Sequence, residues 1–335
     1  MAKKKYFEYF TRIIPASFVL WLIYSAVRYP NEFATSLAVG IANGSIYALI
    51  AIGFGLIYNT TKILNLAHGE MFMLGAVGST FFLVDILNAT SASPLNYFLL
   101  FLAVLLAMIL GAGVSWLSNS LVFSRLETKQ KMAPVVASLG IALIIQNFAI
   151  KWNGSGPKEF PSVIPPALPY RAFWPSVERT LVVLIVTLPI IFAAIWLITK
   201  SRNGLAIRAI SDDAAISQLM GINVKKTISW TFLVAGACAG SAGVIYAQQF
   251  QISNYSLGME VGLLAYAAAI IGGVGHIKGT VFGGLFVGVV EALSDGVTSG
   301  LGYRWSQTAI FAALILMLVY KPEGLWGISQ TSVDS

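Results

Sequence analysis

The chain has 335 residues, of which 57% are hydrophobic and only 10% charged, with a mean hydropathy of +0.78. That is more apolar surface than a water-soluble core can hide, which excludes an ordinary soluble domain and predicts an all-α, polytopic helical membrane protein. The net charge of +7 is weak ground for nucleic-acid binding, because in such a chain the placement of Lys and Arg sets orientation; the lone Cys238 excludes an intrachain disulfide.

The opening MAKKKYFEYFTR and the apolar 13–27 lack a small-x-small cleavage site, so they read as a retained first helix and not a removed signal peptide. A bilayer core takes roughly 20 apolar residues per helix. Ten segments meet that test: 13–28, 33–58, 69–88, 95–118, 133–150, 180–199, 227–248, 259–275, 279–295 and 305–320. The eighth and ninth are joined by the glycine-rich AAAIIGGVGHIKGTVFGGLFVGVV, so eight full spans plus one re-entrant pair is an alternative with the same sidedness. With the N-terminus inside, alternate loops hold fifteen basic residues on the inner face and six on the outer, which accounts for all 21. Both termini are therefore expected in the cytoplasm. Residues 1–335 are expected to form a single transmembrane domain.

Two connections are too long to be turns. The stretch 151–179 is proline-rich and carries Trp152, Phe173 and Trp174, which suits a periplasmic loop at the membrane interface. The stretch 200–226 is basic at both ends and holds a short helix between a candidate N-cap, Asp212 or Asp213, and a C-terminal stop at Gly221. Within it, Ala214 to Ile222 places Ile216, Leu219 and Met220 on one face. Three such residues are too few for a core of their own. The face serves either to lie on the inner leaflet or to dock into the groove of another protein.

Polar groups inside apolar runs need a reason, since an ionisable group at the bilayer centre costs about 2.5–3.5 kcal/mol even on lenient scales. The stretch NLAHGEMFMLGAV places Asn65, His68 and Glu70 at the start of a span. There Glu70 gains from the helix dipole, or His68 and Glu70 belong to an inner gate or pack against the 200–226 helix. Deeper candidates are Asn43, Ser45, Ser138, Gln146, Asn147 and Glu291. They either bond between helices or, for Asn43, Ser45, Ser138 and Gln146, line a substrate path. The two histidines, His68 and His276, lie far apart and no H-E-x-x-H occurs, so neither a metal site nor a histidine-based catalytic set is expected.

Four stretches carry a resemblance: GIANGSIYALIAIGFGLIYNTTKILNLAHGEMFMLGA, RAISDDAAISQLMGI, AGACAGSAGVIYA, and the closing IIGGVGHIKGTVFGG with YKPEGLWG. They resemble the permease subunits of bacterial ABC importers for branched-chain amino acids, most closely the LivH-type member of the permease pair, from about residue 34 to 327. The resemblance implies an inner-membrane permease subunit that moves neutral amino acids inward by alternating access. It makes Asp212, Asp213, Ala214, Ile216, Leu219, Met220 and Gly221 a coupling helix resting on an ATPase. Its implied partners are a LivM-type second permease, two ATP-binding subunits and a periplasmic substrate-binding protein. This chain has no G-x-x-x-x-G-K-[ST] loop, so no cofactor is expected on it and ATP with magnesium is expected on the partners. Rival readings are a urea or short-amide substrate within the same family, or an ATP-independent secondary transporter built on Glu291. An intramembrane enzyme is the remaining rival, and the catalytic spacing it needs is missing.

Overall fold

The computed structural model describes residues 20–89, 97–126, 132–161, 175–297, 303–321 and 324–326. A helical stretch over 20–28 leads into α1 (Pro30–Thr61), followed by α2 (His68–Thr80), which a π-helical turn extends through Phe81–Ile86. Then come α3 (Tyr97–Leu121), α4 (Ala133–Asn153), α5 (Pro175–Lys200), α6 (Arg202–Asp212) and α7 (Ala214–Leu219). Last are α8 (Val224–Phe250), α9 (Leu257–Gly272), α10 (Ile277–Gly296) and α11 (Tyr303–Tyr320).

The expected ten spans become seven helices long and apolar enough to cross a membrane, among the described residues. Two of the other segments are shorter apolar helices, Leu257–Gly272 and Trp305–Val319, below the usual crossing length of about 20 residues; segment 13–28 lies mostly outside the described residues. The fold is all-α as expected, with one small addition: Lys158–Glu159 (β1) pairs antiparallel with Ile252–Ser253 (β2). Two residues per strand are too few to leave an alternating pattern. The ribbon is tied to the end of α2 by an ion pair from Lys158 to Asp85 at 2.9 Å.

Helix α1 is apolar on every side, and such a helix belongs in an interior. Every residue from 42 to 57 is buried, as is every residue of α2 from His68 to Thr80. By contrast α4 and α5 bury only 28% of their most apolar stretches, against 78% for α1. They present Leu143, Ile144, Phe148, Ile185, Phe192 and Trp196 outward, an apolar belt suited to lipid.

Lipid tails are as apolar as Leu, so helices in a membrane associate through close backbone approach and interhelical bonding. Here glycine supplies the approach. A Cβ on Gly75 would collide with the backbone of Gly240, and one on Gly240 would meet the Ala107 carbonyl. These contacts set α8 against α2 on one side and α3 on the other. Gly40 and Gly44 of α1 likewise meet the α10 backbone at Val289 and Leu285. The turn between α9 and α10 needs positive φ at Gly273 and Gly275, and Leu325 and Trp326 donate their N–H groups to Ile271 and Gly272 carbonyls there.

Gly75→Val is expected to abolish the folded protein, since neither backbone at the crossing can retreat without opening α8 from α3 as well. Size-exclusion profiles of detergent-extracted protein check this. Gly113→Ala, where an added Cβ has no heavy atom within 4 Å, is expected to leave the profile unchanged.

Candidate functional site

Chemistry-bearing residues gather at the two ends of α8, a helix about 40 Å long at a rise of 1.5 Å per residue. At the Val224 end, the 200–226 stretch holds two helices where one was expected. Ser201 caps α6 by accepting from the Gly204 N–H at 3.0 Å. Arg208 Nη1 then donates to the Ile198 and Thr199 carbonyls at 2.6 and 3.0 Å, clamping α6 to the C-terminal end of α5. The buried Ile207 and Ile210 anchor the same helix from below.

Asp212 closes α6, and it is Asp213 that caps α7, its Oδ1 accepting from the Ile216 N–H at 2.8 Å. Gly221 follows at φ +85 with open space around it, and Asn223 caps α8 through the Lys226 N–H at 3.0 Å. The result is a rigid double helix, held at three caps. Ala214 is exposed beside Asp213. Ile216, Leu219 and Met220 are 60%, 87% and 78% exposed. Burying such a side chain is worth about 1.5–3 kcal/mol, so this face is built to be covered.

Between α1 and α2 the chain folds back on itself. Asn65 Oδ1 accepts from the Ala67 N–H at 3.1 Å, and Ser138 Oγ of α4 accepts from the Leu66 N–H at 3.1 Å. His68 is fully buried beneath Gly53, edge-on to Phe54 at 4.7 Å. Glu70 Oε1 accepts from Gln146 Nε2 at 2.8 Å, and Gly258 of α9 lies directly against its carboxylate. The bonds and close contacts of His68 and Glu70 thus run to α1, α4 and α9 and fasten the start of α2 to them, while Asn65 bonds within its own turn.

At the Phe250 end a cavity of about 800 Å³ lies among α1, α9 and α10, with Tyr246 and Phe250 of α8 and Gln307 of α11 in its wall. Asn43 lines it, buried at 5% exposure. One turn further along α1, Tyr47 donates to Glu291 Oε2 of α10 at 2.5 Å, and both residues face the same cavity. Glu32, Glu260 and Asp295 line it too, with no Lys, Arg or His among the described lining residues. A smaller cavity of about 200 Å³ sits further along α1 and α9, between Phe54, Tyr58, Asn65 and Tyr266.

The four residues considered for a substrate path therefore part company. Only Asn43 reaches the large cavity. Ser45 shares a hydrogen bond with Thr187 of α5 at 2.9 Å, Ser138 holds the Leu66 backbone, and Gln146 holds Glu70. Asn147 donates to the Leu143 carbonyl of its own helix. Tyr47 was not singled out from the sequence, although it lies four residues after Asn43, the spacing that puts both on one helical face.

A family model described as "Branched-chain amino acid transport system / permease component" matches residues 36–320. The high-affinity branched-chain amino acid transport system permease protein LivH of Salmonella typhimurium is 30% identical, over 88% of this chain and 96% of its own. LivH of Escherichia coli K12 and BraD of Pseudomonas aeruginosa are each 29% identical over the same shares. No solved structure matches the chain. With its family model spanning nearly all the described helices, the chain belongs to the permease-component family of branched-chain amino acid transport systems.

Proposed function

We propose that this multi-pass inner-membrane permease forms one transmembrane half of an ABC importer. It passes branched-chain or other neutral amino acids inward by alternating access. The observation that carries this reading is the α6–α7 unit: a capped, clamped pair of helices that holds three large apolar side chains out into solvent, joined directly to the start of α8. Such a face fits a groove on an ATPase subunit in the helix-in-groove manner. Closure of two ATPases would push on it, and Asp213, Ser201 and Arg208 keep it stiff enough to pass the displacement on.

The remaining members of the assembly follow from that role. A LivM-type second permease completes the membrane pair, two ATPases hold ATP and magnesium, and a periplasmic binding protein delivers the substrate; this chain holds no cofactor. The 200–226 loop is then cytoplasmic, in line with the charge count, and 151–179 is periplasmic.

Reconstitution of the purified assembly in proteoliposomes tests the reading. Uptake of labelled leucine is expected to require both ATP and the binding protein; uptake that persists without ATP would overturn it in favour of a secondary transporter. Leu219→Glu and Met220→Glu are expected to cut ATP-driven uptake by at least about tenfold, because a carboxylate in an apolar groove costs several kcal/mol without a partner. Full insertion with unimpaired uptake in both variants would remove α7 from the coupling role.

A further inference from the structure

We propose that the large cavity is a recognition site for the ammonium group of the transported amino acid, with Glu291 as its counter-charge. The inference rests on the importer reading above and deepens it. Glu291 is 7% exposed, and no Lys or Arg pairs with it among the described residues. A buried carboxylate is expensive unless a partner neutralises it, and the hydroxyl of Tyr47 supplies a hydrogen bond and no charge. Among the described residues the carboxylate has no positive partner.

The surroundings specify what kind of cation fits. Glu260 and Asp295 are exposed residues of the cavity lining, and with no basic residue among the described lining residues their field draws cations inward. Asn43 is the second, independent sign: its Oδ1 is buried and has no hydrogen-bond partner, though buried polar atoms ordinarily have one. It sits on the cavity face of α1, one turn from Tyr47, where a ligand N–H would satisfy it. A volume of about 800 Å³ is that of a small-molecule site and far exceeds a bare ion. The wall between the polar groups is apolar, from Val39, Val261, Leu264 and Ala292, with the tilted rings of Tyr246 and Phe250 at a centroid separation of 4.3 Å. An aliphatic body bearing a primary ammonium matches both halves of that lining.

The test is ligand-observed saturation-transfer NMR on the full importer, without binding protein or ATP, in nanodiscs of phosphatidylcholine and phosphatidylglycerol. The probes are 3-methylbutylamine, which keeps the ammonium and the apolar body, and L-leucine. Both are expected to give signals on the wild type, weakened at least about tenfold in Glu291→Gln, which removes the charge of a charge-assisted bond. Leu264→Trp fills the cavity without touching Glu291 and is expected to have the same effect, so misfolding of one variant does not decide the outcome.

Absence of a 3-methylbutylamine signal in the wild type, or an undiminished one in Glu291→Gln, would overturn the site. Displacement of the amine by equimolar sodium would reduce the cavity to an inorganic-cation site, and loss of its signal in nanodiscs containing phosphatidylethanolamine would assign it to a lipid headgroup. Either result overturns the substrate assignment. Leucine uptake in proteoliposomes is measured beside it. Uptake without amine binding leaves the importer reading standing and the site rejected, whereas amine binding without ATP-driven amino-acid uptake retains an ammonium site and rejects the importer.

Discussion

Helices in a bilayer gain nothing by hiding Leu from lipid, so the fold depends on how closely their backbones can approach. The glycines of α8 show the constraint at its tightest. Gly236 and Gly240 meet the backbone of α3, while Gly240 and Gly243 meet the backbone of α2. One helix is therefore held from two sides through surfaces without side chains. The α1–α10 contact repeats the device at Gly40, Gly44, Gly284 and Gly288. Because carbonyl oxygens stand where a Cβ would go, these crossings have no slack, and the polar residues beside them are placed as firmly as the backbone.

That placement explains why some intramembrane polar groups fasten helices together while one set of them opens on a cavity. Ser45 with Thr187, and Gln146 with Glu70, each close a pair between helices, which is the ordinary way to keep such groups in an apolar phase. Tyr47 and Glu291 also close a pair, yet theirs lies on a cavity, beside an asparagine oxygen left without a donor. Packing alone gives no reason to leave that corner unfilled. A side chain one methylene longer, or a basic residue on α9, would have satisfied it.

Much of the helical layout was legible because the solvent dictates it. The length rule for an apolar core placed a segment at 33–58 where α1 runs Pro30–Thr61, and one at 227–248 where α8 runs Val224–Phe250. The segment expected at 259–275 corresponds to α9, a helix of 16 residues, short of the usual crossing length of about 20, which fits the re-entrant pair that the glycine-rich sequence between α9 and α10 left open. The α7 cap was legible only as a choice between two adjacent aspartates, which both suit an N-cap; the extended backbone at Asp213 (φ −154°, ψ 112°) ends α6 there and settles it. Partners distant in sequence were not legible at all. Tyr47 and Glu291 stand 244 positions apart, and an aromatic in an apolar helix gives no sign of which carboxylate it will meet. For Ser45 the sequence left interhelical bonding and path lining both open, because its helix was known and its rotation was not.

Helix α8 joins the exposed α6–α7 face to the cavity, and its construction bears on how the two ends communicate. It starts at the Asn223 cap, three residues beyond the exposed Met220, and its far end carries Tyr246 and Phe250 into the cavity wall. The helix runs 27 residues without an internal proline, and its Gly240–Ser241 pair, a step at which helices can kink, is packed against the backbones of α2 and α3. Its glycine faces resist any motion that pushes it into α2 or α3. On the proposed reading, a force applied at α7 therefore reaches the cavity as a rigid displacement of α8. The first contacts it would change there are those of its two aromatic rings with whatever occupies the space above Glu291. Gating would then need no movement of the Tyr47–Glu291 pair itself, which the α1–α10 glycine contact holds fixed while the wall opposite it shifts.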